Sequence, residues 1–144
     1  MQWILAAVAV LFILGQSAGS RGLWLPDEPR DAEIAREMAV SGDCVVPTLN
    51  AEPFLEKPPL SYAAAALALK LWPGRPETAV RIPSALFCLG TLACTAWMGW
   101  RLSGLETGLV AAALLGTSWE FLKIGHTCLV DAGLFCWVAL AMVA

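Results

Sequence analysis

Seven side chains in this 144-residue chain have the types and spacing to do chemistry at a membrane surface. Asp27, Glu28 and Arg30 fall within four positions of one another, shortly after an uncharged stretch. Glu56 and Lys57 stand directly before Pro58 and Pro59. Arg81 opens a long apolar run, and Asp131 stands ahead of another. A carboxylate beside a guanidinium is held ionised, the state a general base needs. A lysine in extended backbone just before a helix is well placed for a phosphate, because the first amides of a helix also favour an anion. An acid at membrane depth marks a functional position by default. Each group also has a plainer reading: Asp27 as a helix N-cap, Glu56 and Lys57 as a solvated pair, Asp131 as the N-cap of the last helix.

Composition says where this chemistry would happen. Hydrophobic residues make up 58% of the chain and charged ones 15%, with a mean hydropathy of +0.68. A soluble domain stays nearer half apolar, so the chain is expected in a lipid bilayer. Twelve of its 21 charged residues crowd into positions 20–60, eight of them acidic and four basic. With a net charge of −3 and no basic run, no nucleic-acid partner is expected. Cys88, Cys94, Cys128 and Cys136 lie in or beside apolar runs, and no pair has CxxC spacing, so neither a disulfide framework nor a metal site is read from them. His126 is the one histidine. No cofactor is assigned, and participation of a divalent metal is left open.

The elements that must position these groups follow from punctuation and length. Residues 1–20 are uncharged and would reach roughly 30 Å as a helix, enough for a first crossing. A cleaved signal peptide is the rival reading, weakened by the missing positive n-region. A short amphipathic helix is predicted over about 28–41, opened by Asp27 and closed by Gly42, with Ile34, Ala35 and Met38 inward and Asp31, Glu33, Arg36 and Glu37 outward. Val45 to Pro59 is predicted as an extended, proline-rich connector. Leu60 to Trp72, stopped by Pro73 and Gly74, reads as an interfacial or re-entrant helix of roughly 20 Å, too short to cross. Crossings are predicted at about 82–100, 105–122 and from 132 onward. Counting passes puts Asp27, Glu56, Lys57 and Asp131 on one side, and Arg101 in a short turn fits the cytoplasmic face. The fold class is therefore an all-α integral membrane bundle of several spans, with a large first extracytoplasmic loop, 21–79, containing interfacial helices. Because the apolar run from Gly133 ends at Ala144 without anchoring residues, the chain is expected to be the N-terminal part of a longer protein.

Between Pro26 and about Leu86 the sequence resembles the C-type polyprenyl-phosphate-sugar glycosyltransferases, most of all the aminoarabinose lipid A transferases, with the protein O-mannosyltransferases as kin. The resemblance rests on five boxes in order: Asp27-Glu28-Pro29-Arg30, Ala32 to Met38, Gly42 to Pro47, Glu56 to Leu60, and Arg81 to Ser84. It implies a multi-pass transferase of the cell (inner) membrane with its site on the periplasmic or outer face. The acid matching Asp27 would be catalytic, Lys57 would contact the lipid-linked phosphate, and Glu56 and Asp131 would lie near. Three positions depart from the pattern: Asp31 stands where Tyr or Phe is usual, Cys44 where Trp is usual, and the aromatics after the Lys-Pro-Pro box thin to Tyr62.

The reaction expected is transfer of a sugar from a polyprenyl-phosphate donor to a hydroxyl of lipid A or another glycolipid, a glycan or a protein. Asp27 takes the hydroxyl proton while Lys57, with Arg30 or Arg81, steadies the leaving phosphate, and Glu28, Glu56 and Asp131 are supporting acids. One displacement inverts the anomeric centre. The 144 residues alone are expected to be inactive. The competing expectation is a non-enzymatic transporter segment or assembly subunit. A transporter would carry ionisable groups near mid-membrane, whereas here they gather at the ends of the apolar runs.

Overall fold

A computed structural model describes residues 22–144, so the first crossing expected at 1–20 lies outside them. Helix α1, Asp27–Ser41, starts one residue earlier than a cap at Asp27 would allow. Pro26 holds the N-cap position, and Asp27 turns its carboxylate to Arg30 within the first turn. Gly42 closes the helix at φ +78°, donating its amide to Met38 O at 3.0 Å. A left-handed residue ends the helix there, and glycine bears it without strain.

The connector expected to be simply extended contains a small hairpin, β1 Thr48–Leu49 against β2 Glu52–Pro53. Its tip, Asn50 and Ala51, has positive φ at both residues, the backbone of the tightest hairpin turns. Asn tolerates that region and Ala does not. What compensates is Glu37 of α1, which accepts a hydrogen bond from the Thr48 hydroxyl and one from Asn50 N at 2.8 Å. Sequence periodicity gives no sign of such a long-range clamp.

Helix α2, Leu60–Leu71, lies against α1 with Ile34, Met38, Tyr62 and Ala66 fully buried between them, and Phe54 meets the Tyr62 ring edge-on at 6.4 Å. A four-residue helix α3, Pro76–Ala79, leads into α4, Ile82–Ser103, whose Pro83 sits in the first turn where no amide partner is needed. Together, Pro76–Ser103 is the one helical stretch among the described residues long and apolar enough to cross a bilayer. After Gly104 the chain doubles back as α5, Leu105–Gly116.

The helix predicted over about 105–122 is interrupted. Thr117 Oγ1 bonds back to Ala113 O at 2.8 Å, Ser118 Oγ bonds to Leu115 O at 2.8 Å, and Ser118 itself is extended. Hydroxyls that capture carbonyls of the preceding turn compete with the backbone ladder. The chain resumes as α6, Trp119–Gly125, with Glu120 and Lys123 paired at 3.3 Å, and then as α7, Asp131–Val143. The helix N-cap there is Val130, not Asp131. Cys88, Leu92, Phe121, Ile124 and Ala132 form the core joining α4, α6 and α7. Outward, Trp97, Trp100, Leu114, Trp137 and Met142 are exposed, an apolar exterior of the kind a soluble monomer avoids.

Helices α4 and α5 approach so closely that a Cβ on Gly99 would lie 2.6 Å from Gly108 Cα, and one on Gly108 would overlap the Ala96 carbonyl. Gly108→Val is therefore expected to destabilise the protein by about 1–3 kcal/mol, read as a lower denaturation midpoint in detergent; an unchanged midpoint would show that the two helices separate at little cost.

Candidate active site

Helix α1 places its acids on two different sides. Asp27 is at the exposed end of the helix with its side chain 53% accessible, and its Oδ1 lies 3.0 Å from Arg30 Nη2. A pair this open contributes well under about 1 kcal/mol to stability, so its effect is to orient the carboxylate. Arg30, half-buried, has its Nε 3.6 Å from Asp31 Oδ1, and its guanidinium lies over the Phe54 ring at 5.8 Å. One arginine thus stands between two carboxylates a helical turn apart.

Asp31 was expected on the outward face and is instead enclosed, at 1% exposure. The reason is geometric: it precedes Ala35 by four and Met38 by seven, so it shares their face. Counting from Met38 would have found it. Its Oδ1 accepts a hydrogen bond from the Tyr62 hydroxyl at 3.3 Å. Burial pushes its pKa above the ordinary 3.8, and the positive charges of Lys57 and Arg30 draw it back only in part. That influence also locates Lys57: the half-buried lysine before Pro58 sits close enough for its charge to act on Asp31. Tyr62, facing Asp31 in an enclosed site, is pushed well above the usual phenol value, first by burial and then by the neighbouring carboxylate.

Glu28 faces the other way, into the protein. It is 2% exposed and meets Arg81, 1% exposed, through Nε–Oε1 at 2.6 Å and Nη2–Oε2 at 3.0 Å. Two backbone amides, Trp24 N at 2.8 Å and Cys128 N at 3.0 Å, complete the carboxylate's shell. Arg81 also donates to Gly22 O at 3.0 Å. Expected among the phosphate groups, Arg81 instead ties α1, the start of α4 and the segment before α7 into one unit.

The structure therefore brings Asp27, Arg30 and Asp31 together, and the charge of Lys57 acts on Asp31 without an ion pair between them. Glu56 is exposed, and Asp131 is half-buried at the first position of α7. Neither makes an ion pair with that cluster among the described residues. Among the described residues no three His, Cys, Asp or Glu side chains converge to hold a metal ion.

Residues 2–144 match the family described as dolichyl-phosphate-mannose-protein mannosyltransferase. The undecaprenyl phosphate-alpha-4-amino-4-deoxy-L-arabinose arabinosyl transferase 2 of Sodalis glossinidius is 34% identical over 142 residues, 98% of this chain and 25% of that protein. The corresponding arabinosyl transferase of Shewanella sediminis is 33% identical over 126 residues, 88% of this chain and 23% of its own length. Among solved structures, ArnT from Cupriavidus metallidurans in the apo state superposes with a TM-score of 0.80 at 29% identity, covering 97% of this chain and 26% of that one. The chain thus spans about a quarter of the length of the relatives it matches. A family match reaching across every element described above leaves one assignment: the chain belongs to the dolichyl-phosphate-mannose-protein mannosyltransferase family, and so to the integral membrane proteins.

Proposed function

We propose that this chain carries the acid and cation cluster of a membrane glycosyltransferase that moves a sugar from a polyprenyl-phosphate donor to a hydroxyl acceptor, with inversion. The observation that supports it is the Asp27–Arg30 pair at 3.0 Å, open to solvent at the end of α1, with the charge of Lys57 acting on Asp31 one turn along. Asp27, oriented by Arg30, takes the proton of the attacking hydroxyl as its oxygen bonds to the anomeric carbon. The bond from that carbon to the phosphate oxygen breaks, and the electron pair leaves with the polyprenyl phosphate. Lys57 and Arg30 hold the negative charge that develops there, the largest contribution in reactions of this kind. Arg81 acts at one remove, by fixing the helix that bears Asp27. Acceptors of three classes fit: lipid A or another glycolipid, a glycan, and a protein hydroxyl. The site is assigned to the extracytoplasmic face, the side that pass-counting gives the 20–60 loop.

In the full-length protein supplied with a polyprenyl-phosphate sugar, the product is expected with the opposite anomeric configuration to the donor, read by NMR. Retention would exclude a single displacement. Lys57→Gln is expected to reduce turnover by about 10²-fold, and wild-type turnover in that variant would remove Lys57 from the reaction.

A further inference from the structure

Arg30 stands between two carboxylates, and the reaction above uses only one of them. Its Nη2 meets Asp27 at 3.0 Å, while its Nε lies 3.6 Å from Asp31 Oδ1, an ion pair just beyond hydrogen-bond length. Arg30 Nε is buried with no hydrogen-bond partner among the described residues, and native proteins keep few such atoms. Closing the gap to the usual ~2.9 Å would satisfy it. Asp31 is already fixed to receive it. The Tyr62 hydroxyl donates to Oδ1 at 3.3 Å, and the pocket walled by Asp31, Ser61 and Ser84 has room for about one water molecule, a donor for the buried Oδ2. Both carboxylates therefore engage one edge of the guanidinium, Nε and Nη2, which leaves its Nη1 end for a further anion.

We propose that Asp31 is a positioning residue, which holds Arg30 by its Nε edge so that the guanidinium stays in place when Asp27 takes up its proton. The role rests on the reading of Asp27 as the base and Arg30 as a phosphate cation. As Asp27 becomes neutral its hold on Arg30 fades, at the moment when charge grows on the leaving phosphate. Asp31, enclosed and away from the reacting hydroxyl, keeps its grip through that step. The Phe54 ring at 5.8 Å covers the guanidinium but cannot fix its direction in the plane. Asp31 stands where the family pattern has Tyr or Phe, residues without a carboxylate, so this second anchor is a device of this chain.

The test is a double-mutant cycle in the full-length protein, with undecaprenyl phosphate-4-amino-4-deoxy-L-arabinose as donor and lipid A as acceptor. Wild type, Asp31→Asn, Arg30→Lys and the double variant are compared in kcat, KM and denaturation midpoint. Arg30→Lys keeps the charge but has no fork with which to meet two carboxylates at once. Asp31→Asn is expected to lower kcat and kcat/KM together by about tenfold in wild type, and by less than about twofold once Arg30 is lysine. Equal losses in the two backgrounds overturn the proposal, as does wild-type kcat in either single variant. A second measurement needs no turnover. The Nε–H of Arg30, identified in ¹⁵N-arginine NMR by its loss in Arg30→Lys, is expected to exchange slowly in wild type and rapidly in Asp31→Asn. Exchange in wild type as fast as that of a free arginine overturns the proposal even if Asp31→Asn fails to fold. Wild type that transfers no sugar while its Nε–H is protected overturns the glycosyltransferase reading and leaves the Asp31–Arg30 contact established.

Discussion

Asp27→Asn in the full-length protein is expected to lower the rate of sugar transfer by about 10²–10⁴-fold while leaving membrane insertion and melting temperature nearly unchanged. The substitution keeps the shape of the side chain and removes its ability to take a proton. Stability should hardly respond, because Asp27 is 53% exposed and shares its ion pair with water. Donor binding should also persist, since the proposed phosphate cations remain. Initial rates measured beside thermal unfolding separate these effects. An Asn variant with wild-type rates would sink Asp27 as the base, whereas one that is inactive because it no longer folds would contradict the exposed geometry of the pair.

The opposite pattern is expected at Arg81. Arg81→Met should destabilise the protein by about 3–5 kcal/mol, the cost of leaving one half of a buried ion pair without its partner. Glu28 would then keep the Trp24 and Cys128 amides but no cation. Adding Glu28→Gln should restore part of that loss, and a double variant no more stable than the single one would show that the arginine does not act through Glu28. The same pair sets a response to acid. Burial pulls the Glu28 carboxyl upward, but Arg81 and the two amides outweigh it and hold it below the ordinary 4.5. The unfolded chain therefore takes up this proton first as the pH falls. The pair's contribution is complete above about pH 4.5 and is lost as pH drops through the lowered folded value. Denaturation midpoints measured across that window should fall in wild type, and Glu28→Gln should lack this component.

How much of this was legible in the sequence depends on how far apart the partners are. The Asp27–Arg30 pair lies three residues apart on one helix, so residue order alone announces it. The stop at Gly42 and the start after Pro59 are written in residues whose backbone leaves little choice. By contrast, Arg81 reaches Glu28 across 53 positions and Cys128 reaches it across 100. No local pattern encodes such partners, and an arginine in a phosphate-like setting was read as a phosphate ligand. Asp31 was misplaced for a different reason: charge was taken as a sign of solvent, although the helical period put this residue with Met38. The interruption at Thr117 and Ser118 escaped because two small hydroxyl residues barely alter an apolar run of residues, while their back-bonding redirects the chain.

The bond from Cys128 N to Glu28 has a consequence in time. A chain made from its N-terminus reaches Glu28 a hundred residues before it reaches the amide that completes its shell. Contacts so distant in sequence form late, because the intervening loop must close first. Until then the carboxylate lacks one of its two amide donors, although Arg81 can already reach it. The helix bearing the proposed base is thus made early and can pack on α2 through Ile34, Met38, Tyr62 and Ala66, while the last bond to its Glu28 waits for residue 128.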